Sequence, residues 1–245
     1  MDRKEFLEEI KSNINRYGHH ISIVSSRPNP RYAYTIGLTK THGLELILSG
    51  GIYFDKNSLC QIINTISDKL KTTESNRLEK TKFNLDSLGI FKLQKVDYSW
   101  SGLTMLGVLD FYNLDKVEAY QILPDELHYT LDIPDMSKKW SAQVEPIWKW
   151  LNNEWDYGVS EKTAVVTNLD ALKGRPITEI MRWELEEWEM FAGSGPDVDK
   201  KDIRIVPIGV LLGIDNSLIT ALDLEIGKGL WRENSGNKWN SWESD

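Results

Sequence analysis

Residues 20–49, HISIVSSRPNPRYAYTIGLTKTHGLELILS, decide the fold class. Three strand-like runs lie within them, His20–Val24, Arg31–Leu38 and Leu44–Ser49, each rich in β-branched or aliphatic residues. The Pro28-Asn29-Pro30 turn separates the first two, and Gly50-Gly51 closes the third. Upstream, Phe6, Ile10, Ile14 and Tyr17 recur at helical spacing, with Gly18 where a C-terminal cap belongs. Downstream, Asp55 is placed to cap a second helix whose apolar face is Leu59, Ile62, Ile63, Ile66 and Leu70. The polar stretch Lys71–Lys82 reads as a loop. Ile90–Val96 and Glu118–Leu123 read as further strands, with a helical Leu103–Tyr112 between them. Strands and helices do not alternate regularly, so the pattern predicts an α+β fold rather than a doubly wound parallel sheet.

Pro124, Pro134 and Pro146 punctuate the middle of the chain, and Val144–Trp155 reads as a segment packing back on this half. The pattern restarts near Ser160. Thr163–Asn168 and Ile177–Trp183 read as strands separated by Gly174-Arg175-Pro176, and Trp188–Ala192 as a third, with the loop Gly193–Asp202 after it. Ile203–Ile214 is apolar enough for a short buried helix or for a strand plus turn, and periodicity does not choose between them. Ser217–Leu222 reads as a short helix and Gly229–Glu233 as a closing strand. The expected organisation is two α+β domains, residues 1–155 and 160–245, each a mostly antiparallel sheet with packed helices.

Apolar residues make up 40% of the 245 and charged residues 27%, an ordinary globular balance. The longest apolar stretches, such as Ile203–Ile214, fall short of the roughly 20 residues that cross a bilayer. Met1–Ile10 carries Glu8 and Glu9 and lacks the apolar core of a secretory signal. A single cysteine, Cys60, forms no internal disulfide, so the chain reads as a cytoplasmic protein without a membrane partner. Net charge is −8, from 29 basic and 37 acidic side chains. From Ser160 onward 16 acidic residues face 10 basic ones, so −6 of that charge lies in the last third. The balance argues against direct nucleic-acid binding and suits a basic protein partner.

No phosphate-cradling glycine loop, nucleophile elbow or zinc-peptidase helix motif is present. His19 and His20 are adjacent and on a strand would point to opposite faces, so they cannot share a metal. His42 or His128 joined by Asp110 or Glu45 has no ligand spacing to support it. Cys60, among Leu59, Ile62 and Ile63, reads as an inert buried thiol. The expectation is therefore no metal, no cofactor and no enzymatic activity. Among the tryptophans, Trp148, Trp150 and Trp155 read as core, whereas Trp183 and Trp188 flank the acidic run Glu184–Glu187 and Trp239 and Trp242 sit in a polar tail. Aromatic anchors beside carboxylates suit a protein-binding surface. The expected anchors are Trp183 and Trp188, and the expected electrostatic rim is Glu184, Glu186, Glu187, Asp197, Asp199 and Asp202. The rival reading is a small-ligand-binding protein or enzyme using Tyr34, Thr35, His42, Glu45 and Gln121, with His42 and Glu45 as an acid–base pair.

Residues Tyr17–Val24, Tyr32–Leu38 and His42–Leu46, then Phe111-Tyr112, Gln121–Asp125 and Gln143–Pro146, resemble the domain-of-unknown-function family 4262 over about residues 1–150. The chain departs from that pattern at Gly43, where proline is usual, and at His19, where tryptophan is common. The later blocks Ala164–Thr167, Pro176-Ile177, Trp188–Gly193, Val206–Gly209, Asp215–Leu218 and Gly227–Arg232 resemble domain of unknown function 2185, also called immunity protein family 33. Glu184–Glu187 stands where that family has an Asp-Gly turn. This second resemblance implies a bacterial immunity protein that stays in the producer's cytoplasm and neutralises a cognate toxin by tight binding over its active site.

Overall fold

The runs of residues 20–49 form three neighbouring antiparallel strands, β1 (His20–Val24), β2 (Tyr32–Ile36) and β3 (Glu45–Ser49). Tyr34 is the shared reference of the register, opposite Ser22 on one side and Ile47 on the other. The computed structural model describes residues 3–242, which divide into two compact units. The first takes Met1–Val24, Arg31–Tyr129 and Ile133–Ser141. Its helices are α1 (Arg3–Tyr17), α2 (Leu38–His42), α3 (Lys56–Leu70), α4 (Tyr98–Thr104) and α5 (Leu106–Tyr112). Strands β4 (Lys82–Asn84), β5 (Ile90–Lys95) and β6 (Ala119–Pro124) complete a six-stranded sheet in the order β1-β2-β3-β6-β5-β4. Pairing is antiparallel throughout except between β3 and β6.

The Asp55 side chain accepts from Ser58 N at 2.7 Å and caps α3, as the sequence predicts. Leu59, Ile62, Ile63, Ile66 and Leu70 then pack with Ala33, Leu46, Leu48, Phe91, Leu93 and Ile122 of the sheet. Each such buried aliphatic side chain contributes about 1.5–3 kcal/mol. On α1 only Ile10 is buried, and Tyr17 is 63% exposed, so the apolar stripe read from the sequence is narrower than expected. The stretch Lys71–Lys82 is not wholly loop: Ser75–Lys80 forms a 3-10 helix anchored by buried Leu78.

The second unit takes Ser25–Pro30, Thr130–Asp132 and Ala142–Asp245. Its elements are β7 (Ala164–Asn168), α6 (Leu169–Leu172), β8 (Glu179–Arg182), β9 (Glu187–Phe191), β10 (Ile203–Pro207), α7 (Ile208–Ile214), β11 (Lys228–Trp231) and β12 (Asn240–Ser241). They build a sheet in the order β10-β7-β9-β8-β11-β12, antiparallel except for the β7–β9 pair. The two sheets make the chain α+β. The undecided stretch Ile203–Ile214 is a strand and then a helix, joined at Pro207. Val144–Trp155 packs elsewhere than expected. Its 3-10 helix Pro146–Leu151 lies against α7, where a Cβ at Gly213 would stand 2.5 Å from Ile147 Cα. Trp148, fully buried, donates its indole N–H to Asp132 O at 2.9 Å. This close approach assigns the segment to the second unit, whose main part begins at Ala142.

One arginine ties the last part of this unit together. The Arg232 side chain is 1% exposed and its guanidinium meets Asp215 at 2.6 Å. It also donates to Ile177 O, Ser217 Oγ and Ser235 O, and it lies 4.1 Å from the centre of the Trp239 ring. Removing one partner from a buried pair of this kind costs about 3–5 kcal/mol, because the other charge is stranded. Arg232→Ala is expected to lower second-unit stability by that amount, read as a fall in the urea midpoint of tryptophan fluorescence.

Candidate functional site

Pleating sends alternate side chains of the second sheet to opposite faces. Val165 of β7, Ile180 of β8, Trp188 and Met190 of β9 and Val206 of β10 share one face, and none is more than 1% exposed. The opposite face is open. Its central row runs Ile205–Val166–Glu189–Met181–Gly229 across five strands. Trp183, just beyond β8, donates its backbone N–H to Glu187 O at 3.0 Å and stands on the same face. A groove of about 520 Å³ runs over this face, with Val166, Met181 and Phe191 in its floor and Trp183 and Trp242 in its walls. Trp183 is 52% and Trp242 51% exposed. Gly229 leaves Trp242 room to lie close against β11: a Cβ there would lie 3.1 Å from Trp242 Cδ1 and 3.2 Å from Met181 Sδ, so one of those side chains would have to shift by a few tenths of an ångström.

The electrostatics of the face are one-sided. Its described strand positions carry Glu179, Glu187 and Glu189, and no lysine or arginine. Glu179 accepts from Gly195 N at 2.8 Å. The β8–β9 turn adds exposed Glu184, Leu185 and Glu186, closed by Glu184 N donating to Glu187 O at 3.3 Å.

The expected surface is therefore divided by the structure. Trp183, Glu184, Glu186 and Glu187 come together at one end of the open face. Trp188 does not join them: it is buried on the opposite face, with Arg182 5.0 Å above its ring, and cannot anchor a partner. Asp197, Asp199 and Asp202 line a separate depression of about 310 Å³ with Asp170 and Arg175. Asp199 is engaged there by Lys201, through its ammonium at 3.0 Å and its backbone N–H at 3.1 Å. Sequence reasoning missed Glu189, Val166, Met181, Phe191 and the walling role of Trp242. The available signal was the alternation Glu187-Trp188-Glu189-Met190, acid on one face and apolar on the other.

The rival constellation in the first unit is spent on structure. Glu45 is fully buried and accepts from Thr35 Oγ1 (2.6 Å), Thr39 Oγ1 (2.8 Å) and the backbone N–H groups of Gly37 (3.0 Å), Leu38 (3.3 Å) and Thr39 (2.9 Å). Burial pushes its carboxyl up, against those five donors, which favour the anion. The expected acid–base pair is absent: His42 is bonded to Thr41 Oγ1 at 2.7 Å. Tyr34 accepts from Gly107 N at 3.2 Å, and Gln121 bonds Pro134 O and Met136 N. His19 Nε2–H donates to Asn64 Oδ1 at 3.0 Å, whereas His20 Nδ1 faces Asn13 Nδ2 at 2.9 Å, so the neighbours serve different partners. Among the described residues no three His, Cys, Asp or Glu side chains are grouped to hold a metal ion. Among the same residues no helix is long and apolar enough to cross a membrane.

A family model described as "Domain of unknown function (DUF4262)" matches residues 13–129, a little under half of the chain. That match supports the resemblance of the first half and covers α2, β3 and Glu45; the resemblance of the second half to family 2185 gains no such support. No curated protein and no solved structure matches the chain.

Two outcomes are expected of the first unit. Glu45→Ala would strand buried donors at about 1–3 kcal/mol for each group left without water. Denaturant unfolding should register a loss of about 3 kcal/mol. Burial pushes His19 and His20 below their ordinary 6.5. Below that value the unfolded chain binds protons that the folded chain refuses, so this contribution is complete above 6.5 and is lost as pH falls through the depressed folded values. The unfolding midpoint should drop between about pH 7.5 and about pH 5.5, and drop less in the variant His19→Gln/His20→Gln.

Proposed function

We propose that the second unit docks a basic protein partner on its open sheet face, and that the chain acts as an immunity protein. In this reading it stays in the cytoplasm of a bacterial producer and neutralises a cognate toxin by covering its active site. The observation that carries the proposal is the groove itself, an apolar floor between two half-exposed tryptophans on a face that bears three glutamates and no basic strand residue among those described. Aromatic anchors supply burial on association, and a field of one sign steers an oppositely charged partner. A toxin that acts on nucleic acid presents such a basic surface. The resemblance of residues 160–245 to immunity protein family 33 points the same way.

The test is co-purification of the tagged chain from its native host, with the captured protein then co-expressed beside it. One stoichiometric partner is expected, toxic alone and harmless beside this chain. Trp183→Ala should speed its dissociation, at a cost of about 2 kcal/mol or more in affinity. Reversing Glu184, Glu186 and Glu187 should instead slow association about tenfold at low salt and flatten its salt dependence. A partner whose association and dissociation ignore both sets of changes would place the interface elsewhere.

A further inference from the structure

Glu189 occupies the middle of the open face. Its cross-strand neighbours are Val166 on one side and Met181 on the other, and Ile205 and Gly229 extend the row. The side chain is partly buried in the groove floor and forms no hydrogen bond or ion pair with any described residue. Its neighbour Glu179, by contrast, is bonded to Gly195 N. A half-buried carboxylate flanked by apolar side chains can meet an opposite charge that a ligand brings to it, through charge-assisted hydrogen bonds. The walls of the same groove are two indoles, whose faces attract cations.

We infer that this groove is a subsite for an arginine side chain presented by the partner protein, an assignment that rests on the docking reading above. Both oxygens of Glu189 are available for the paired N–H groups of a guanidinium, a geometry that an ammonium cannot match. Trp183 and Trp242 supply flat surfaces against which a planar cation stacks, and Val166, Met181 and Phe191 cover the aliphatic stem. Glu187, on the same strand and face, adds a second negative charge toward the Trp183 end. The groove thereby selects a charge and a shape, and the exposed Glu184 and Glu186 guide that charge inward.

The subsite can be tested on the full chain without the natural partner. The probe is the capped peptide acetyl-Gly-Arg-Gly-amide, compared with versions carrying citrulline, lysine or leucine in place of arginine. Indole N–H resonances of the full chain are monitored, with Trp183→Phe and Trp242→Phe providing assignments. Saturable shifts at both indoles are expected with the arginine peptide, with a dissociation constant on the order of millimolar, and at least tenfold weaker binding of citrulline. Glu189→Gln, which keeps the shape of the side chain, should weaken arginine binding about tenfold while leaving the leucine response unchanged; a thermal melt confirms that the variant is folded. Equal binding of arginine and citrulline, or wild-type binding by Glu189→Gln, would overturn the subsite. Lysine bound as tightly as arginine would overturn the guanidinium assignment. The docking reading fails separately: arginine-peptide binding without any captured host partner would uphold the subsite and remove the partner. A captured partner sensitive to Trp183→Ala but indifferent to Glu189→Gln would do the reverse.

Discussion

Along Glu187–Phe191 the chain can send successive side chains only to opposite sides of the sheet, and the organisation of the second unit depends on that constraint. Trp188 and Met190 go inward against Val165 and Ile180, and this fixes the register. Glu187 and Glu189 are then obliged to face outward, because a slip of one residue would bury two carboxylates and expose a tryptophan. The acidic face is thus the geometric complement of the core. What makes it more than a solvated surface is the company of the glutamates: apolar floor residues and two indoles, where exposed polar side chains would be the ordinary choice.

The first unit answers the same demand for polar satisfaction by a different route. The five-residue helix α2 has no capping side chain at Gly37, so its leading N–H groups need a partner from elsewhere in the fold. Glu45 provides it from the start of β3 while also taking the hydroxyls of Thr35 and Thr39. The carboxylate thereby joins β2, α2 and β3, and a residue type that suggests acid–base chemistry does architectural work. Both units build their sheets around a single parallel pair, β3–β6 in one and β7–β9 in the other, flanked by antiparallel neighbours.

The strands of residues 20–49, the capped α3 and the α+β class were legible because they arise from period, propensity and turn residues within short windows. Helix α2 was not, since its N-terminal partner lies six to eight residues further along the chain and no local signal announces it. Ile203–Ile214 stayed ambiguous because Val206 and the consecutive run Ile208–Leu212 of α7 are buried, which erases the periodicity that separates strand from helix. At the candidate site, Trp183 and the acidic turn were readable from composition. Trp188 was misread because a tryptophan flanked by acids looks the same in sequence whether its strand turns it out or in. Glu189 and the walling role of Trp242 were missed for a related reason: the groove unites residues from four separate strands and a tail, and only tertiary structure brings them together.

Arg232 gives the groove one further property. By holding Ile177, Asp215, Ser217 and Ser235 at once and stacking on Trp239, it fastens the segment that leads to Trp242 onto the core. The wall of the groove is in place before anything enters it, so the ordering entropy that a loose tail would lose on association has already been spent in folding. If the proposed partner docks there, its association would carry the heat-capacity signature of buried apolar area alone, without the larger one of coupled folding.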